Sequence, residues 1–93
     1  MEYNHNMKDL EKTLKALANE RRLKILKILR KNPELSVGEV AEEIGLSFRS
    51  TSRHLTLLYR AGILEHERRA NLVEYKIASP VPPVLGKIFP FIL

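Results

Sequence analysis

Ser36-Val37-Gly38-Glu39-Val40-Ala41-Glu42-Glu43-Ile44-Gly45-Leu46-Ser47-Phe48-Arg49-Ser50-Thr51-Ser52-Arg53-His54-Leu55-Thr56-Leu57-Leu58-Tyr59-Arg60-Ala61-Gly62 reads as two helices and the link between them. Ser36 with Glu39 three residues on is a capping box, each side chain satisfying a backbone N–H at the start of the helix that follows. Val37, Val40, Ala41 and Ile44 line one side of that helix, and Gly45 ends it, since glycine takes the left-handed cap conformation without steric cost. Ser47 caps the next helix only two positions later. A link as short as Gly45-Leu46-Ser47 forces two helices to meet at a steep angle, which is helix-turn-helix geometry.

Placed on a wheel, the helix after Ser47 gathers Phe48, Thr51, Leu55, Leu58 and Tyr59 on one side, the expected core face. Opposite them, Arg49, Arg53, Thr56 and Arg60 share one narrow wedge, and no acidic residue lies between Ser47 and Leu64. A solvated helix face normally interleaves both signs, because Glu to Lys or Arg pairs one turn apart stabilise it. Three arginines without a carboxylate repel one another unless an anion is brought to them. A polyphosphate backbone meets that need, and the major groove of B-form DNA admits one α-helix. Ser47, Arg49, Ser50 and Arg53, near the amino end, are the candidates to reach base edges. The hydroxyls of Ser50, Thr51 and Ser52 can donate to phosphate.

Upstream, apolar residues Leu10, Leu14 and Leu17 place one stripe on a first helix that starts near Met7. Asn19 caps a second, whose Leu23, Ile25, Leu26, Ile28 and Leu29 cover more than half of its circumference and demand burial on most sides. Lys24, Lys27 and Lys31 form its solvent stripe, and Asn32-Pro33 stops it. Downstream, Ile63 to Arg68 and Leu72 to Ile77 read as two strands joined at Arg69-Ala70-Asn71, a β-hairpin. Its tip presents Arg68, Arg69 and Asn71 where nucleic acid would pass. The expected fold is therefore mainly α with a small β-hairpin, a helix-turn-helix domain over residues 1–78 whose hairpin, by the family resemblance given below, makes it a winged helix-turn-helix.

Residues 79–93 change character, with four prolines, one charged residue and eight large apolar ones. Pro82-Pro83 suits a helix start, with Val84, Leu85, Ile88 and Phe89 as a short apolar face that Pro90 ends. With Phe91-Ile92-Leu93 behind it, this tail would expose a patch on a monomer. Burial between two subunits is the expected fate; folding back on its own subunit and contact with another protein are the alternatives.

Composition narrows the rest. The 93 residues carry 16 Lys and Arg against 11 Asp and Glu, a net charge of +5 and a pI near 9.7 (the chain allows one domain and favours an anionic partner). Residues 47–76 hold six cations and three Glu, whereas residues 1–46 hold nine and eight, so the excess sits on the reading half. With no cysteine, disulfides, thiolate metal sites and sulfur nucleophiles are excluded. No membrane-length apolar run and no signal pattern at Met1 to Asn6 leave a cytoplasmic protein as the expectation. His5, His54 and His66 share no helix face, so none is assigned to a metal, and no cofactor is expected. Protonation of His54 or His66 near neutral pH would add positive charge and tighten DNA binding. No nucleophile with its base, carboxylate pair or glycine-rich phosphate loop suggests an enzyme.

Two blocks, Leu14-Lys15-Ala16-Leu17-Ala18-Asn19-Glu20-Arg21-Arg22-Leu23-Lys24-Ile25-Leu26 and Ser52-Arg53-His54-Leu55-Thr56-Leu57-Leu58-Tyr59-Arg60-Ala61-Gly62-Ile63-Leu64, resemble the signature stretches of ArsR-type winged helix-turn-helix transcriptional regulators. The resemblance spans about residues 8–78. It implies a recognition helix in the second block, including His54 as a surface or phosphate contact, and a wing in the hairpin. It also implies a homodimeric repressor released by an effector, with Leu10 and Leu14 of the first helix and the apolar tail at the dimer contact. The family's Cys-x-Cys would fall near Ser36 and Val37, where no sulfur exists, and no Asp, Glu or His follows Glu74 to build its other metal site. Metal sensing is therefore not expected, and the residues name no effector. The rival reading is a winged-helix module that binds a protein of the transcription machinery; the all-basic helix face argues against it.

Overall fold

Asn6 and Asn19 each accept the backbone N–H three residues on, which starts helix α1 at Met7–Leu17 and helix α2 at Glu20–Lys31 in the computed structural model. The structure describes residues 6–92, so His5 and Leu93 lie outside it. Chain order continues with strand β1 (Leu35–Ser36), helix α3 (Val37–Ile44), helix α4 (Phe48–Arg60), strands β2 (Leu64–Arg69) and β3 (Leu72–Ile77), helix α5 (Pro83–Ile88) and a 3-10 turn at Phe89–Phe91. Both bonds of the Ser36–Glu39 capping box form, and Gly45 sits at φ 75°, the left-handed geometry that sterics reserve for glycine.

Core packing follows the periodicity. Ile25 and Leu26 of α2, Val40 of α3, and Leu55 and Leu58 of α4 are fully buried together with Ile63 and Leu64. Lys24, Lys27 and Lys31 lie on the side of α2 turned from that cluster, as its stripe requires. At about 25 cal/mol per Å² of apolar area removed from water, this cluster is what holds α4 against the rest of the domain.

Four features depart from the sequence reading. The hairpin belongs to a three-stranded antiparallel sheet in the order β1-β3-β2, with Leu35 opposite Tyr75 and Ser36 opposite Glu74. A two-residue strand carries no periodicity, so only its partner reveals it. The turn is Ala70-Asn71 alone, with Arg69 already paired opposite Leu72, and Ala70 occupies φ 53°. Phe48 and Tyr59, both assigned to the core face of α4, are 62% and 42% exposed: the first projects beyond the layer that covers Thr51 and Leu55, and the second lies against the His66 ring of the wing.

The tail is the fourth. Leu85, expected at a subunit contact, is fully buried in the core of its own chain, with Val81, Ile88, Phe89 and Ile92 packed against that core. The Arg30 guanidinium lies 4.3 Å from the centre of the Phe89 ring and donates to the Phe89 carbonyl at 3.4 Å. Pro90 lies inside the 3-10 turn that extends α5. Phe91 alone of the expected contact set in the tail stands clear, at 85% exposure. The tail thus folds back on its own subunit through Leu85, whose apolar side chain gains by leaving water for the core.

Candidate nucleic-acid interface

Ser47 opens α4 by accepting the Ser50 N–H on its hydroxyl at 3.0 Å, so Arg49, Ser50 and Arg53 stand exposed on the first turns of a capped helix. Arg60 continues the exposed basic face at the carboxyl end, and Thr56 and Ser52 are half-buried beside it. Among the sequence-assigned residues Thr51 is a correction: its side chain is fully buried and its hydroxyl donates to the Ser47 carbonyl at 2.8 Å. A hydroxyl bonded back into its own helix in the core has no reach to a phosphate.

His54 meets a partner on another helix. Its Nδ1 lies 3.3 Å from Nη1 of Arg22, whose Nε and Nη2 donate to the carbonyls of Ala16 and Lys15 at the end of α1. The histidine is half-buried at the junction of α1, α2 and α4 and serves that junction. Burial, then the neighbouring Arg22 and Arg21 charges, lower its pKa below the ordinary value of 6.5. His54 is therefore neutral at pH 7 and above and adds no charge to the DNA face there. Because the unfolded chain protonates this ring first, folding stability is full above about pH 6.5 and falls as pH drops below it toward the folded pKa. Thermal unfolding of the wild type and His54→Gln at pH 7.5 and 5.5 checks this. The wild type loses more stability on acidification than the variant; equal losses would refute it.

Sequence reasoning missed the residues that flank the basic wedge. A crevice of about 660 Å³ opens between α1, α2 and α4, lined by Lys12, Lys15 and Arg22 with Arg53, Thr56 and Arg60. No carboxylate lines it among the described residues, although Glu11 approaches Lys15 at 3.6 Å. Lys12 and Lys15 sit three apart on α1, a spacing legible in the sequence; their approach to α4 is not. The local field is that of four or more cations facing one side, which raises the concentration of any polyanion there.

In the wing the two arginines part company. Arg69 is caught between Glu34, Glu67 and Glu74 at 3.7, 3.5 and 3.4 Å, and these carboxylates raise its pKa. Glu67 and Glu74 are directly opposite in the β2-β3 register, a repulsive cross-strand pair that Arg69 neutralises. Arg69 is thus a brace for the hairpin, and among the described residues Arg68 enters no ion pair. Asn71 is exposed at the tip. Removing Arg69 leaves three carboxylates facing one another, so Arg69→Ala should speed amide exchange across β2 and β3 while Arg68→Ala leaves it unchanged. Equal protection in the two variants would refute the brace.

His66 sits between Tyr59 and Tyr75, ring centroids 4.1 and 5.3 Å away, which ties the wing to the carboxyl-terminal part of α4. Among the described residues no three His, Asp or Glu side chains come together as a metal site, and no helix is long and apolar enough to cross a membrane. On α1, Leu10 and Leu14 are 47% and 45% exposed and line a shallow apolar depression with Met7.

Comparison with known proteins identifies the fold and the family. Residues 19–65 match the family model described as winged helix-turn-helix DNA-binding. The chain is 42% identical over 81 residues to the transcriptional activator HlyU of Vibrio cholerae, covering 80% of this chain and 74% of that one. It is 29% identical over 72 residues to the transcriptional repressor SdpR of Bacillus subtilis, covering 77% and 79%. Among solved structures it is similar to the homodimeric winged helix-turn-helix DNA-binding domain of a possible ArsR-family regulator from Mycobacterium bovis. The TM-score there is 0.78 at 29% identity, over 92% of this chain and 76% of that one.

Proposed function

This chain belongs to the winged helix-turn-helix DNA-binding family, among transcriptional regulators of ArsR type, and from that premise we propose that it is a homodimeric, sequence-specific repressor. The observation that carries the reading is the exposed Arg49, Arg53 and Arg60 face of a helix with no carboxylate from Ser47 to Leu64. Arg49, Ser50 and Arg53 enter a major groove, where an arginine grips guanine through two parallel hydrogen bonds. Arg60, with Lys12 and Lys15 beside it, and Arg68 and Asn71 on the wing, meet phosphates and set the register.

Two copies pair through the exposed Leu10 and Leu14 face of α1, with Val84 beside Leu10, and the exposed Phe91 of the tail is a second apolar contact. A twofold pair presents its two α4 helices to successive grooves, so the site is an approximate palindrome with half-sites about one helical turn apart. Repression follows from occupying such a site, and SdpR is a relative of that kind; HlyU, an activator, marks the other outcome of the same binding chemistry. None of these 93 residues is a cysteine, so none supplies a thiolate ligand.

The test is binding of the purified full chain to fragments of its own upstream DNA at two salt concentrations, with mass measured in the same buffer. Fragment-selective, salt-sensitive binding by a dimer is expected. A dimer that binds no fragment at low salt would overturn the reading, and a transcription assay on the selected fragment separates repression from activation.

A further inference from the structure

Phe48 is the first residue of α4, directly after the cap Ser47 and directly before Arg49, and it is 62% exposed. It flanks, with the 55% exposed Leu72 of the wing, an apolar crevice of about 250 Å³ between α3, α4 and β3. A large aromatic ring left in water at this place is unusual for the domain, because every other ring described is engaged or half-buried except Phe91 at the far end of the chain. It contributes nothing to the core, and it interrupts a surface otherwise made of hydroxyls and guanidinium groups.

Phe48 is the first residue of α4, so its exposed ring stands at the amino end of the helix, the end by which such a helix enters the groove. In the major groove the base edges present hydrogen-bond donors and acceptors and a single apolar group, the 5-methyl of thymine. We propose that Phe48 is a specificity-determining residue that packs on a thymine 5-methyl, next to the base read by Arg49 or Arg53. The ring cannot hydrogen-bond a base edge, so it rejects a cytosine or guanine whose polar edge it would desolvate without a partner. This inference rests on α4 being the helix that enters the groove.

Selection from a random-sequence duplex library with the full chain and with Phe48→Ala tests it. The wild type returns thymine at one fixed position of each half-site, and Phe48→Ala loses that preference while keeping the other positions. The best wild-type duplex is then remade with deoxyuridine at that position, which removes the methyl and nothing else. Wild-type affinity falls about fourfold per half-site, the value of about one buried methyl, and Phe48→Ala binds the two duplexes alike. Thermal unfolding of the variant, expected to match the wild type because the ring is exposed, excludes misfolding as the cause. No thymine preference, a wild type indifferent to the methyl, or a Phe48→Ala protein that still senses it overturns this inference and leaves the groove-entering helix intact. A wild type that selects no duplex at all overturns both.

Discussion

Arg53→Ala weakens binding to the preferred duplex by about 1–3 kcal/mol at each half-site, and weakens binding to unrelated duplexes far less. Arg53 is exposed in the second turn of α4, one turn after Arg49, with no carboxylate on the helix to hold it elsewhere. Its guanidinium is therefore free to make the two parallel bonds that distinguish guanine, and alanine removes both without touching the core. Arg68→Ala is the contrasting variant. It lowers affinity for all sequences alike and reduces the slope of log affinity against log salt by about 0.9 for each phosphate it no longer neutralises. Titrations of both variants at three salt concentrations, on preferred and scrambled duplexes, separate the roles. An Arg53→Ala protein that loses affinity equally for both duplexes would demote Arg53 to a phosphate contact.

Leu85→Ala lowers the free energy of unfolding by about 2–5 kcal/mol. The side chain is fully buried in the core of its own subunit, where Val81, Ile88, Phe89 and Ile92 also pack, so truncation leaves a cavity that the proline-flanked α5 cannot collapse to fill. For a domain whose total stability is about 5–15 kcal/mol this is a large fraction. The same substitution leaves dimer dissociation almost unchanged, whereas Phe91→Ala, at an exposed ring, raises the dissociation constant and barely moves subunit stability. Chemical denaturation and sedimentation on both variants give the two numbers. A Leu85→Ala protein of wild-type stability would mean that α5 does not dock on its own subunit.

Most of the path of the backbone is written in local chemistry. The capping box at Ser36 and Glu39, the caps Asn19 and Ser47, and the stops Gly45 and Gly62 act over three or four residues. The same holds for the basic face of α4, since a wheel needs only the helix itself. The wheel already puts Thr51 on the core face, where it is buried, and only the phosphate role assigned to its hydroxyl conflicts with that. His54 escapes such a reading, because what a polar side chain on a helix flank meets depends on the neighbour packed there, here Arg22, 32 residues away in the chain. Arg69 escapes it because Glu34 comes to it from outside the hairpin.

Charge and periodicity along the chain are thus enough to establish a helix-turn-helix with a wing and an arginine face without carboxylates, because each depends on residues within a turn or two of one another. The third strand, the return of Leu85 into its own core, the brace around Arg69 and the exposed ring of Phe48 depend on which segments meet. That is settled by burial: Leu85 enters the core of its own chain, and Phe48 lies one turn before Thr51, the first residue of α4 that the core covers.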